Sequence, residues 1–137
     1  MTFKNIICTA TGLIGAAAAQ LAGGWSGAIT TLLILMALDY ITGFAAAAVF
    51  HNSSKSESGR LESRAGWKGL TRKGMTLAIV LAAYRLDLLL GTVYIKDAVI
   101  IAFCANEMIS LLENAGLMGV PIPDAVKDAI ELLKGGE

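Results

Sequence analysis

The sequence has few of the residues from which catalytic and metal sites are usually built. Its 137 residues include two cysteines and one histidine. Two cysteines cannot form a disulfide framework, and a single histidine excludes a zinc site built from several histidines. We find no Ser/His/Asp set, metal cluster or phosphate-binding loop. The sequence therefore predicts a protein that is not an enzyme and has no cofactor.

Charge is also scarce, and neither sign is in excess. Charged residues make up 16 % of the chain, against ~25 % in a typical soluble domain. The 11 basic and 11 acidic residues cancel, whereas a nucleic-acid-binding protein usually has a basic excess, so we expect no nucleic-acid partner. Apolar residues reach 55 %, against a usual ~45–50 %, and the mean hydropathy is +0.66. This composition indicates a membrane protein.

The few charges are unevenly distributed. Residues 5–38 form a run of 34 residues without charge, and extending it to residue 50 adds only Asp39. A transmembrane helix needs ~20 predominantly apolar residues. The first 50 residues are therefore long enough for two spans.

Apolar blocks and polar connectors alternate along the whole chain. The blocks cover residues 6–22, 28–50, 74–90 and 98–112, and the first is a weaker span because it is rich in Ala and Gly. In the tail, 113–137, the apolar spacing between 124 and 134 predicts a short amphipathic helix. We predict one all-α integral membrane domain over 1–137, made of helical hairpins with three to four transmembrane helices and this C-terminal helix.

The connector at 51–73 predicts the orientation. Two acidic residues oppose six basic ones, which gives a net charge of +4: Lys55, Arg60, Arg64, Lys68, Arg72 and Lys73. The positive-inside rule makes this loop cytoplasmic. With four spans both termini are cytoplasmic; with three, the first block lies in the interface or the N-terminus is outside. Lys4 and the apolar stretch after it also imitate a signal peptide, but a second apolar span follows almost at once.

Polar residues inside the apolar blocks are the candidate functional residues. A carboxyl group near the middle of a span, such as Asp39, costs ~2.5–3.5 kcal/mol on insertion scales, so it should face protein or water. Asp39 either lines an oligomer or has a partner in its own chain. Gly43 follows one turn later, on a stripe of small residues that allows close helix contact. Arg85 and Asp87 are interpreted as boundary residues that extend toward water.

The fourth block and its end have a polar stripe at helical spacing, formed by Asn106, Glu107, Ser110, Glu113 and Asn114. In lipid such a stripe must find partners. It can pack within one protomer, join another helix or line a water-filled lesion. The acidic tail, with five acids and two bases, has the basic connector as its candidate partner. That connector, with Trp67, equally suits anionic lipid headgroups.

Three motifs in order resemble those of a known family. They are D-x-x-T-G at 39–43, a Ser- and Gly-containing loop that ends in G-W-K-G-L-T-R-K at 66–73, and N-E-x-x-S-x-x-E-N at 106–114 followed by Gly116, Gly119, Pro121 and Pro123. Over about residues 20–134 the chain is similar to the phage holins that act in toxin secretion and lysis.

The resemblance implies a multi-pass protein of the bacterial host's cytoplasmic membrane. Such a protein contacts lipid, forms homo-oligomers and opens lesions through which an endolysin or a toxin leaves the cytoplasm. It is linked to that cargo by function, without a required direct contact. Two alternatives stay open: a small ion channel or transporter that uses intramembrane carboxylates, and an antiholin that regulates a holin.

Overall fold

The chain folds into helices. The computed structural model describes residues 2–21, 23–52, 55 and 58–133, and in these ranges the regular elements are five α-helices. The all-α prediction is therefore confirmed. The described residues exclude position 22 of the first predicted block, four positions of the predicted loop (53, 54, 56 and 57) and the last four positions of the tail. The helices are α1 (Phe3–Leu21), α2 (Gly27–Ala48), α3 (Ser63–Leu90), α4 (Ile95–Leu117) and α5 (Asp124–Leu133).

Helices α2, α3 and α4 pack into a three-helix bundle. At one end, Ile29, Leu32 and Met36 of α2 form an apolar cluster with Val80 of α3 and Ile100 of α4. Toward the other end, Asp39 of α2 contacts Lys73 of α3 and Asn114 of α4. These pairings make α2 and α4 run in the same direction and α3 in the opposite one. The packing is mainly between α2 and α4 and between α3 and α4.

The bundle is polar inside and apolar outside. Four of its twelve buried residues are polar or charged: Asp39, Asp87, Glu107 and Asn114. Large apolar side chains cover the outside, including Ile34, Ile41 and Phe44 on α2. Soluble monomers rarely expose extended apolar surface, whereas polar residues of membrane bundles face the bundle interior. This distribution suits lipid surroundings.

The helix ends have identifiable caps. Ser26 accepts a hydrogen bond from the backbone N–H of Ile29 at 3.2 Å and starts α2. The Asp87 carboxylate, from the last turn of α3, accepts the backbone N–H groups of Ile95 and Lys96, each at 2.9 Å. A residue of one helix thus caps the N-terminus of the next. The interpretation of Asp87 as a boundary residue extending toward water is wrong, because its side chain is buried in this turn.

The predicted loop at 51–73 extends too far, because α3 begins at Ser63. The inward positions of α3 explain this earlier start. Ala65, Gly69, Lys73 and Thr76 are half-buried and continue directly into the buried Val80 and Ala83, with a spacing of three or four residues throughout. The helical period therefore runs through the charged segment, whose Arg64, Lys68 and Arg72 point outward.

The fourth helix is also longer than its apolar block. Helix α4 covers Ile95–Leu117, so Glu113 and Asn114 belong to it and the tail starts after Leu117. Among the described residues one helix, α2, meets the length and apolarity expected of a membrane span. The count of three to four spans stays a prediction.

The two terminal helices differ in how they pack. No residue of α1 is buried, and the large apolar side chains of Phe3, Leu13 and Ile14 are exposed. Helix α5 lies against α4. Within the described residues no ion pair joins α5 to the basic residues of α3, and the packing of the acidic tail on the basic connector stays a prediction.

Candidate functional site

Three charged residues from three helices meet inside the bundle. The Lys73 Nζ atom of α3 lies 2.7 Å from Oδ2 of Asp39 on α2 and 2.9 Å from Oε2 of Glu107 on α4. Asp39 is 3 % exposed and Glu107 is 6 % exposed. We call Asp39, Lys73 and Glu107 the buried charged cluster. One ammonium group thus joins three helices through two carboxylates.

Further polar groups complete the coordination of Asp39. Its Oδ1 atom accepts hydrogen bonds from Ser110 Oγ at 2.7 Å and Asn114 Nδ2 at 2.9 Å. Asn114 also donates to the Asp39 carbonyl oxygen and to Thr42 Oγ1, each at 3.0 Å. Every buried side-chain polar atom in the described part of the chain has a hydrogen-bond partner. Full satisfaction is what makes a buried polar network stable.

A second lysine reaches the cluster from the connector before α3. Lys55 Nζ lies 3.4 Å from Asp39 Oδ1 and 3.4 Å from Ser110 Oγ. Its side chain is 41 % exposed, compared with 15 % for Lys73, so Lys55 lies at the rim of the cluster and Lys73 inside it. Two lysines then face two carboxylates. The formal charge of the site is balanced when all four groups are ionised.

The predicted polar residues of α2 and α4 separate into an inner and an outer set. Glu107, Ser110 and Asn114 point toward Asp39, while Asn106 and Glu113 are exposed. Gly43 lies beside the inner set: a Cβ atom there would stand 3.5 Å from Lys55 Nζ and 3.6 Å from Asn114 Nδ2. A methyl group at position 43 would therefore make ordinary van der Waals contacts with both groups.

The six basic residues also divide between two places. Lys55 and Lys73 bind the carboxylates, and Arg60 and Arg72 line a cavity next to them. Arg64, Lys68 and Arg72 lie on the exposed side of α3. The basic residues that are close together in the sequence therefore lie in two regions: at the site and its cavity, and on the exposed side of α3.

A cavity of about 490 Å³ leads to the buried charged cluster. Asp39, Lys73 and Glu107 lie at its polar end, and Tyr40, Phe44, Leu61, Trp67 and Leu70 form apolar walls. The Tyr40 hydroxyl donates to the Gly66 carbonyl oxygen at 3.3 Å and links α2 to the first turns of α3. The cavity gives the carboxylates a route to the surroundings of the bundle.

Sequence reasoning did not find the central role of Lys73. Lys73 was assigned to a cytoplasmic loop, whereas it lies in α3 and faces inward. Its spacing of seven residues from Val80 was the available signal, because positions i and i+7 share one helix face. Asp87 had a comparable signal, since it continues the same face by another seven residues.

Fold and site together define a class: a small helical bundle with an apolar exterior and a buried network of ion pairs. The sequence profile of the bacteriophage holin family matches residues 16–135. The chain belongs to the bacteriophage holin family, as the three motifs predicted. Membership of this family implies a non-enzymatic protein of the cytoplasmic membrane.

Several relatives share most of the chain. An uncharacterised protein of Halalkalibacterium halodurans is 37 % identical over 131 residues, which is 91 % of each chain. An uncharacterised 14.9 kDa protein of Clostridium perfringens, from the nagH 3′ region, is 38 % identical over 81 % of this chain and 80 % of its own. A protein of Bacillus phage phi105 named "Probable holin" is 29 % identical over 75 % of this chain and 71 % of its own. No solved structure matches.

Proposed function

We propose that this protein self-associates in the bacterial cytoplasmic membrane and opens lesions that release an endolysin or a toxin, which leads to host lysis. The observation that carries the proposal is the buried charged cluster. It lies inside a bundle whose surface is apolar, in a chain that belongs to the holin family. The cluster satisfies the charges of each protomer internally. A protomer of this kind can be stored in lipid before it assembles.

The outer surface supplies what self-association needs. Helix α1 is mostly apolar and has no buried residue, and it contains Gly12 and Gly15 with open space around them. In a membrane, small residues allow close helix packing. The exposed Asn106 of α4 adds a polar group for contacts between protomers, since polar side chains within lipid seek partners.

The test is induced expression in a bacterium with and without a cytoplasmic endolysin, with membrane potential and lysis recorded. We expect loss of potential in both strains and abrupt lysis only with the endolysin. Glu107→Ala removes one of the two carboxylates that bind Lys73, so we expect normal membrane insertion and delayed lysis. The matched control is Ile101→Ala, which changes an exposed apolar residue of the same helix. Equal lysis times for the two variants would contradict a role for the cluster.

The cavity supports a second candidate, a small ion channel or transporter. It would use Asp39 and Glu107 as coupling carboxylates reached through the 490 Å³ cavity. A channel passes ions but retains a folded enzyme, so loss of potential without endolysin release would favour it.

Delayed lysis on co-expression with an active holin, without lysis by the chain itself, would identify an antiholin.

A further inference from the structure

The first turns of α3 present a basic face. Arg64, Lys68 and Arg72 recur every fourth residue, so they lie along one side of the helix. The stripe extends over about 12 Å at 1.5 Å per residue. All three residues are exposed, and none forms an ion pair with another residue that the structure describes. We call these three residues the basic face.

An aromatic residue lies within this face. The Trp67 side chain is 67 % exposed and borders a shallow depression together with the basic face and Thr71. Tryptophan is enriched at membrane–water interfaces, where its ring packs on acyl chains and its N–H faces headgroups. Indole and cations thus occur side by side.

The location of the face relative to α2 points to the same environment. Gly66 of α3 is linked to Tyr40 of α2, so the face lies beside the C-terminal half of the helix that is long and apolar enough to span a membrane. Arginine and lysine extend their charged ends toward the interface from deeper positions. We therefore place Arg64 nearest the headgroup layer, toward which the side chains of Lys68 and Arg72 extend.

We propose that the basic face binds the phosphate of an anionic phospholipid, with Trp67 against the lipid's upper acyl chain. Three cations that have no anionic partner among the described residues suit an anionic headgroup. The acidic helix α5 does not compete for this site, because it packs on α4. The inference rests on the proposed function only in requiring that the chain inserts into a membrane.

The test uses the full chain with Trp25→Phe, which leaves Trp67 as the single tryptophan. The protein is reconstituted into phosphatidylcholine vesicles that contain a minor fraction of phosphatidylglycerol, with one lipid at a time brominated on its acyl chains. Bromine quenches indole only at short range. We expect Trp67 to be quenched as if phosphatidylglycerol were enriched about fivefold around it, and 1 M salt to weaken this preference.

The variants compare the two ends of α3. We expect Arg64→Gln/Lys68→Gln/Arg72→Gln to lose the preference and Arg85→Gln, an exposed cation at the far end of the same helix, to keep it. If circular dichroism shows that the triple variant loses helicity, the lipid preference is compared between two single variants at the exposed position 68. Lys68→Gln removes the charge and Lys68→Arg keeps it.

Three outcomes would overturn the proposal. They are equal quenching by both lipids in the unmodified chain, equal loss in the Arg85→Gln control, and quenching of Trp67 by aqueous iodide but by neither lipid. The last would instead place the face in a water-filled lumen. A chain that fails to float with the vesicles would overturn membrane insertion itself, and flotation is scored before any quenching.

Discussion

The Asp39 carboxylate binds four side chains from three parts of the chain: Lys55, Lys73, Ser110 and Asn114. A carboxylate at mid-span is costly in lipid without such partners. Of the two explanations that the sequence left open, the structure shows a partner in the same chain. Any role of Asp39 between protomers stays a proposal.

Lys73 should be the most sensitive residue of the site. Lys73→Met leaves two buried carboxylates without their shared cation, and breaking a buried pair by removing one partner typically costs ~3–5 kcal/mol. We expect a large fall in thermal stability in detergent and a low level in the membrane fraction. Lys68→Met, an exposed lysine of the same helix, is the control. Similar stability of the two variants would show that the cluster contributes little to the fold.

The sequence predicted the need for a partner at Asp39 but not the partner. The requirement follows from a local fact, a carboxyl inside an apolar block. The answer depends on a contact across 34 residues, and a single sequence gives no direct signal for such a contact. Lys73 is also difficult to single out in the sequence, because five other basic residues precede it in the segment that is predicted to be a loop.

At the scale of elements, the longest helix shows where the sequence reasoning was wrong. The boundary of α3 was placed where polarity ended, at residue 74, but the helix starts eleven residues earlier. The polarity of a segment indicates its environment, whereas the spacing of its inward-facing residues indicates its backbone structure. From Ala65 to Asp87 the inward-facing residues keep the same helical spacing, although the first part of this stretch is charged and the second part is apolar. The bounds of the other three apolar blocks differ from the bounds of α1, α2 and α4 by only a few residues.

The turn between α3 and α4 is fixed by Asp87, which leads to a second prediction. Asp87→Ala removes the acceptor for the N–H groups of Ile95 and Lys96 and for the Thr92 hydroxyl. Loss of a helix cap is destabilising, so we expect the midpoint of thermal unfolding in detergent to fall by a few degrees. Asp97→Ala provides the control, since Asp97 is an exposed acid in the first turn of α4. The cap would be unimportant if both variants unfolded at the same temperature.

For the whole molecule, the arrangement of polar and apolar residues is reversed relative to a soluble domain. The buried apolar cluster is small, and the large apolar residues are mostly outside. Bundles in lipid gain little from burying apolar side chains, because lipid tails are as apolar as leucine. Packing of small residues and internal polar contacts then hold the helices together, as the buried charged cluster does here.

The orientation gives a third prediction. The segment 51–73, which comprises the connector and the first turns of α3, should be cytoplasmic because of its six basic residues, and the turn between α3 and α4 should then be on the outside. In a chain with Cys8 and Cys104 replaced, we expect Ser58→Cys to resist a membrane-impermeant thiol reagent in intact cells and Val93→Cys to react. Both positions are exposed. The reverse labelling pattern would invert the topology.

The contact between Asp39 and Lys73 also has a consequence for the order in which the helices are synthesised. Asp39 leaves the ribosome 34 residues before Lys73 and 71 residues before Ser110. At ~5–20 residues per second of synthesis, the second helix waits several seconds for its counter-charge. During that interval the Asp39 carboxyl has no counter-charge from α3, so we expect α2 to stay at the translocon until α3 arrives. We therefore expect α2 and α3 to enter the bilayer as a pair.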